Sequence, residues 1–264
     1  MVPSPSPALT IETHKLNRHF GSFQAVQNLD LQVPQGAFFG FLGPNGAGKS
    51  TTIKMLTGLL QPSSGEVLLL GQNIWKQPEK VKRLIGVVPE KLHLFERLTA
   101  VEYLEFVGAM YGMEEKLIAQ RSEELLDLME LDGRRDLMVA DYSHGMKKKL
   151  ALAAALIHNP RLLFLDEPFE GVDAVSAKIL RQLLQDLTAR QVTIFLTSHI
   201  MEIVEKLCDH LGIIHKGRLI AAGPMSEVLA RLGSEQPLGT ASLEDAFIQM
   251  VGQGRTTRQL SWIQ

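Results

Sequence analysis

The chain has 264 residues, 45% of them hydrophobic, and a formal net charge of −2 from 27 basic and 29 acidic side chains. It is long enough for one large α/β domain or two smaller ones, and it has no overall field to draw it onto nucleic acid or an anionic membrane. A single cysteine, Cys208, excludes an internal disulfide and suits a reducing compartment.

The start, MVPSPSPALT, has neither the basic region nor the apolar core of a signal peptide, and residues 1–9 read as a disordered Pro/Ser tail. Between Ile11 and Val33, short alternating segments with Leu29, Leu31 and Val33 on one face predict antiparallel strands. Phe20 and Phe23 fall in the loop-like RHFGSFQ, where an aromatic serves either the core or a nucleotide base.

The most informative stretch is FFGFLGPNGAGKSTTIKML, Phe38 to Leu56. Its apolar start, Phe38–Leu42, predicts a buried strand, and a helical pattern resumes with Ile53, Leu56 and Leu60 on one face. Between them stands G-x-x-x-x-G-K-S. Gly43, Gly46 and Gly48 let the backbone turn its N–H groups inward, where a Cβ would obstruct, and make a cavity for polyphosphate oxygens. Lys49 supplies a positive charge to the β- and γ-phosphates, and the Ser50 hydroxyl suits Mg²⁺. The plain alternative is a glycine-rich turn that a lysine happens to follow; the complete spacing between a strand and a helix argues against it.

Glu66–Leu70 and Ile85–Val88 predict further strands. Thr99 opens a helix with Glu102 completing a capping box, Leu98, Val101, Leu104 and Val107 keep helical spacing, and Gly112 ends it. Glu114–Leu131 predicts a second helix stopping at Gly133. Residues 91–158 carry no strand pattern and are expected to form an inserted helical subdomain. Within it, Asp141–Met146 precedes a helix over Lys147–Ile157. Ser143 and Gly145 there serve either as an ordinary N-cap or as a second anion site. LALAAALI at 150–157 is the longest apolar run, bracketed by Lys147–Lys149 and Pro160, and falls well short of the roughly 18 residues of a spanning helix. If the protein works at a membrane, another chain spans it.

The apolar RLLFLD at 161–166 predicts a strand ending in Asp166 and Glu167. Asp166 suits Mg²⁺ held through water, and Glu167 suits orienting or deprotonating an attacking water. Two solvated turn acids are the alternative, weakened by the phosphate loop upstream. Asp173–Arg190 predicts a helix and Val192–Leu196 a strand, after which His199 serves either as a satisfied core or surface residue or, from its place after the strand next past Asp166, as a γ-phosphate contact. Cys208 reads as a small core residue in a helical pattern, and Leu211–Ala222 as a hairpin turning at Lys216-Gly217. Ser242 and Asp245 cap a last amphipathic helix that buries Leu243, Phe247 and Met250. No histidine has metal-ligand spacing with cysteine or carboxylate support, so no zinc is expected.

Together these segments resemble the nucleotide-binding subunits of ATP-binding cassette (ABC) transporters over about Leu16 to Gly223. GPNGAGKST (43–51) is similar to Walker A, LLFLDEP (162–168) to Walker B, YSHGM (142–146) to the LSGGQ signature, GVD (171–173) to the D-loop and TSH (197–199) to the switch histidine, and Phe20 occupies the place of the stacking aromatic. The resemblance implies an α/β P-loop NTPase core with an N-terminal antiparallel β edge and an inserted α-helical subdomain, over residues 10–225, followed by a C-terminal helical extension at 226–264. It implies ATP hydrolysis with Mg²⁺. Phe20, Gly43, Pro44, Asn45, Gly46, Ala47, Gly48, Lys49, Ser50 and Thr51 would bind the nucleotide, Ser50, Asp166 and Glu90 the metal, and Glu167 and His199 would act in catalysis. A head-to-tail dimer, of two copies or with a paralogous ATPase, would bring Ser143, Gly145 and Asp173 to the neighbour's nucleotide. The partner implied is a separate transmembrane permease, with the ATPase on the cytoplasmic face and no nucleic acid involved. SLEDAFIQMVG (242–252) resembles exporter ATPases for drugs, lipids or polysaccharides. The competing readings are an ATP-driven clamp outside transport and a P-loop kinase for a small acceptor. Three departures stand out: Glu90 in place of the Q-loop glutamine, His144 and Met146 in place of the signature's glycine and glutamine, and Ala174 in place of a proline.

Overall fold

The computed structural model describes residues 8–232 and Phe247. Two twelve-residue strands, β1 (Leu9–Phe20) and β2 (Phe23–Pro34), pair antiparallel across Gly21-Ser22. After them come β3 (Phe38–Leu42), α1 (Lys49–Leu56), β4 (Ser64–Leu69), β5 (Gln72–Asn73), the short α2 (Pro78–Lys82) and β6 (Ile85–Val88). Three helices follow without an intervening strand: α3 (Ala100–Met110), α4 (Glu115–Leu128) and α5 (His144–Leu156). The chain then alternates through β7 (Leu162–Asp166), α6 (Ala174–Ala189), β8 (Thr193–Ser198) and α7 (Met201–Leu207), and ends its described run with the hairpin β9 (His210–His215) and β10 (Arg218–Pro224) and with α8 (Met225–Leu232).

The strands form two sheets. One is antiparallel, in the order β2-β1-β4-β5; the other, β10-β9-β3-β8-β7-β6, is parallel except for its β10 edge. The central strands of the larger sheet read as unbroken apolar runs because both faces are covered. Phe39, Phe41, Leu162, Phe164 and Phe195 point toward the antiparallel sheet and α1. Phe38, Leu42, Leu163, Leu165, Ile194 and Leu196 point toward the helices on the other side. The two-residue period of a strand sorts neighbouring side chains into two separate cores.

Several expectations shift. β1 starts at Leu9, inside the expected tail. α1 stops at Leu56, because Gly58 takes a left-handed backbone (φ +72°), so Leu60 does not extend its face. α4 ends at Leu128, and Gly133 sits in a single 3-10 turn rather than at the helix end. α5 begins at His144, capped by Ser143, which places three signature residues inside the helix. Thr197 and Ser198 belong to β8, and Cys208 is buried just past the end of α7. The expected capping box at Thr99–Glu102 and the hairpin turn at Lys216-Gly217 are both present. The helical insertion shares one apolar cluster with the sheet instead of owning a core of its own. Of the expected terminal helix, Leu243 and Met250 lie outside the described residues, while Phe247 is half-buried against that cluster.

Phe195 stands at the centre of the sheet-to-sheet core, with ring centroids 5.4 Å from Phe39, 5.3 Å from Phe41 and 5.6 Å from Phe164. Phe195→Ala is expected to cost about 3–5 kcal/mol, through lost burial and the cavity left behind, and to lower the denaturant midpoint accordingly.

Candidate active site

In a parallel sheet all carboxyl ends open on one edge, and ligands bind in the crevice there. The register here sets Leu42 of β3 beside Ser198 of β8, and Asp166 of β7 beside Thr197 of β8. The loop from Gly43 to Gly48 therefore converges with Glu167 after β7 and His199 after β8, although both lie more than a hundred residues further along the chain. They border a cavity of about 510 Å³.

The glycine loop supplies one wall. Pro44, Asn45, Gly46 and Gly48 line it, followed by Lys49, Ser50 and Thr51 from the first turn of α1. The N–H groups of a first helical turn have no partner inside the helix, which makes this wall electropositive. Gly43 and Ala47 stand behind it: the Gly43 carbonyl accepts from Lys49 Nζ at 2.7 Å, and the Ala47 carbonyl accepts from Gly217 N at 2.9 Å. The β9–β10 turn thus props the loop from the rear.

The opposite wall is acidic. Glu167 has φ +51°, an unusual backbone for a residue with a side chain. That conformation turns its carboxylate into the cavity. Oε1 lies 3.9 Å from Lys49 Nζ, and Oε2 lies 3.0 Å from His199 Nδ1 and 3.3 Å from its backbone N. Thr197 links the two acids: its hydroxyl donates to Asp166 Oδ1 at 2.5 Å and accepts from Glu167 N at 3.1 Å. Asp166 is 5% exposed, joined to the site through Thr197, and does not itself line the cavity. Glu90 and Glu170 line the cavity beside Glu167, so three acidic residues share it with Lys49.

The other residues singled out from the sequence lie apart. Phe20 does not border the cavity, and the Arg18 guanidinium covers its ring at 4.6 Å. Its cross-strand partner Phe23 does border it, 62% exposed, together with Ala25. Ser143 is exposed and caps α5 by accepting from Met146 N, and Gly145 is buried beside Asp173. Asp173 caps α6; the backbone N–H of Ser176 leads in holding its carboxyl below the usual range. None of the three borders the cavity of its own chain. Sequence reasoning had no role for Thr197, Glu170 or Ala25. Alternation from Phe23 marks Ala25, but nothing local marks the other two, which reach the site only through strand register and the 167–170 turn.

A family model described as ABC transporter matches residues 26–170. The linearmycin resistance ATP-binding protein of Bacillus subtilis is 37% identical over 240 residues, spanning 90% of this chain and 77% of that one. The bacitracin transport ATP-binding protein of Bacillus licheniformis is 40% identical over 222 residues, 84% of this chain and 72% of that one. Among solved structures, one described as the ATP binding subunit of an ABC transporter superposes with a TM-score of 0.84 at 31% identity, covering 91% of this chain and 99% of that one.

Two glycines of the loop separate strain from collision. A Cβ at Gly46 (φ +78°) meets nothing within 4 Å, whereas one at Gly48 (φ +113°) lies 2.7 Å from the Ala25 carbonyl oxygen. Gly46→Ala is expected to lose about 1–2 kcal/mol from backbone strain alone. Gly48→Ala is expected to lose more, since β2 must also move; paired thermal unfolding curves check the order.

Proposed function

The chain belongs to the ATP-binding subunits of ABC transporters, and from that premise we propose that it hydrolyses ATP to ADP and phosphate at the Lys49–Glu167–His199 cavity and drives a separate membrane permease, as an exporter. The observation that carries this reading is the Glu167 carboxylate, held between Lys49 and His199 at the mouth of the phosphate loop. Polyphosphate would take over Lys49 Nζ from the Gly43 carbonyl and lie along the N–H groups of the loop. Glu167 would accept a proton from, or orient, the water that attacks the γ-phosphorus, while His199 fixes that carboxylate and reaches the γ-phosphate. Phe23, which borders the cavity, is the aromatic surface placed for the base, and Phe20, its cross-strand partner under Arg18, would serve only with its ring face away from the guanidinium.

The donor set fits Mg²⁺. Ser50 and Glu90 line the cavity, Asp166 is buried next in the chain to Glu167, and all three offer hard oxygens. Among the described residues there is no cluster of three or more His, Cys, Asp or Glu that would cage an ion by itself. A cation shared with phosphate oxygens and waters is what such a sparse set suits. It would also offset the repulsion between a polyphosphate and three facing carboxylates.

The permease reading has its own support. A second cavity, about 370 Å³, opens beside α3 and is walled by Leu92, Leu94, Tyr103, Val107 and Tyr111, with Phe95, Phe106 and Met110 exposed nearby. An apolar segment of a partner suits it. Pro89 lines this groove while the adjacent Glu90 lines the nucleotide cavity, so a partner seated there would press directly on the site. No helix among the described residues is long and apolar enough to cross a membrane, and the proposed location is the cytoplasmic face, through the permease. Ser143, Gly145 and Asp173 serve a neighbouring chain's nucleotide in this reading, in a head-to-tail dimer of two copies or of paralogues. The resistance and transport roles in the relatives' names favour it over a clamp or a kinase.

Glu167→Gln is expected to bind ATP with near-normal affinity and to hydrolyse it about 10²–10⁴-fold more slowly, measured as phosphate release; near-normal turnover would remove Glu167 from the role. Glu90→Gln is expected to change both the Mg²⁺ concentration for half-maximal turnover and the stimulation of ATPase by the permease, and unchanged values for both would end the coupling role of Glu90.

A further inference from the structure

Lys148 lies on α5, five residues past the Ser143 cap, and is 4% exposed. Its Nζ donates to the Glu167 carbonyl at 2.7 Å and to the Glu170 carbonyl at 2.6 Å. Both acceptors are uncharged. Burial lowers the pKa of this ammonium, against the pull of the Glu170, Glu167 and Glu90 carboxylates. A buried lysine set on neutral carbonyls is a costly arrangement for holding a helix in place, since an apolar side chain of similar length would pack there without desolvating a charge.

The lysine holds a turn in an unfavourable conformation. Glu167 is left-handed, and the turn's own closing bond, Glu170 N to the Glu167 carbonyl, is long at 3.3 Å. Such backbones persist where their surroundings over-determine them. Thr197 secures the amide side of Glu167, and Lys148 secures the carbonyl side.

We propose that Lys148 is a positioning residue for hydrolysis: it clamps the 167–170 turn to α5, so that the Glu167 carboxylate keeps its aim and moves as one body with the helix that Ser143 caps. Lys148 touches no reacting atom and exchanges no proton; it acts through Glu167. The proposal rests on the ATPase reading above.

A double-mutant cycle on the full chain tests it by single-turnover ATP hydrolysis. K148M is expected to leave ATP affinity within about twofold and to slow turnover about 10- to 100-fold, a large part of what a well-placed general base contributes. On the E167Q background, K148M is expected to cause no further loss. K148R, which keeps cationic donors, is expected to restore most of the rate. Should K148M unfold below the assay temperature, K148Q serves in the same cycle, with the same non-additivity expected. Equal losses on both backgrounds, or no loss on the unaltered chain, would overturn the clamp. An unaltered chain with no ATPase activity would overturn the reading of the site itself, and the clamp with it.

Discussion

A lysine and a glutamate more than nine-tenths buried, with Nζ and Oε1 3.9 Å apart, face each other at the carboxyl edge of the parallel sheet. Neither charge is stable there alone, because taking an ion out of water costs several kcal/mol unless partners replace the lost solvation. Each therefore has a fixed retinue. Lys49 has the Gly43 carbonyl, and Glu167 has the His199 ring and amide. The surrounding architecture holds those partners at the required separation.

The sheet accomplishes this by being covered on both sides. The antiparallel sheet and α1 seal one face, and the helices seal the other. A close-packed strand set between two cores has little freedom to slide. That rigidity transfers to the carboxyl ends of β3, β7 and β8, where the phosphate loop, the paired acids and the histidine emerge. Secondary ties extend it into the loops: Gly217 props Ala47, Thr197 joins Asp166 to Glu167, and Lys148 braces the far side of the same turn.

The cavity is open to communication at two places. One is the Pro89-Glu90 step, where neighbouring residues border different cavities. The other is α5, whose cap Ser143 is exposed while Lys148, further along the helix, holds the carbonyls of the 167–170 turn. Both places thus have mechanical access to the Glu167 carboxylate.

Much of this was legible in the residues. G-x-x-x-x-G-K-S between an apolar run and a helical pattern states its local geometry, because only glycines allow those backbone turns and only a helix start leaves those N–H groups free. Thr99 with Glu102, and Lys216 with Gly217, likewise encode their cap and turn locally. By itself, then, the sequence determined most of the elements, the local turn of the glycine loop and the family. The tertiary structure alone decided that Thr197 joins the acids, that Phe23 rather than Phe20 borders the cavity, that Glu170 returns to the site, and that Lys148 reaches inward while its neighbour Lys147 pairs with Glu96 on the surface. The physical reason is one of range. Caps and turns are settled within a few residues, whereas strand register and side-chain burial are settled by what packs from elsewhere in the chain, and no local pattern carries that information.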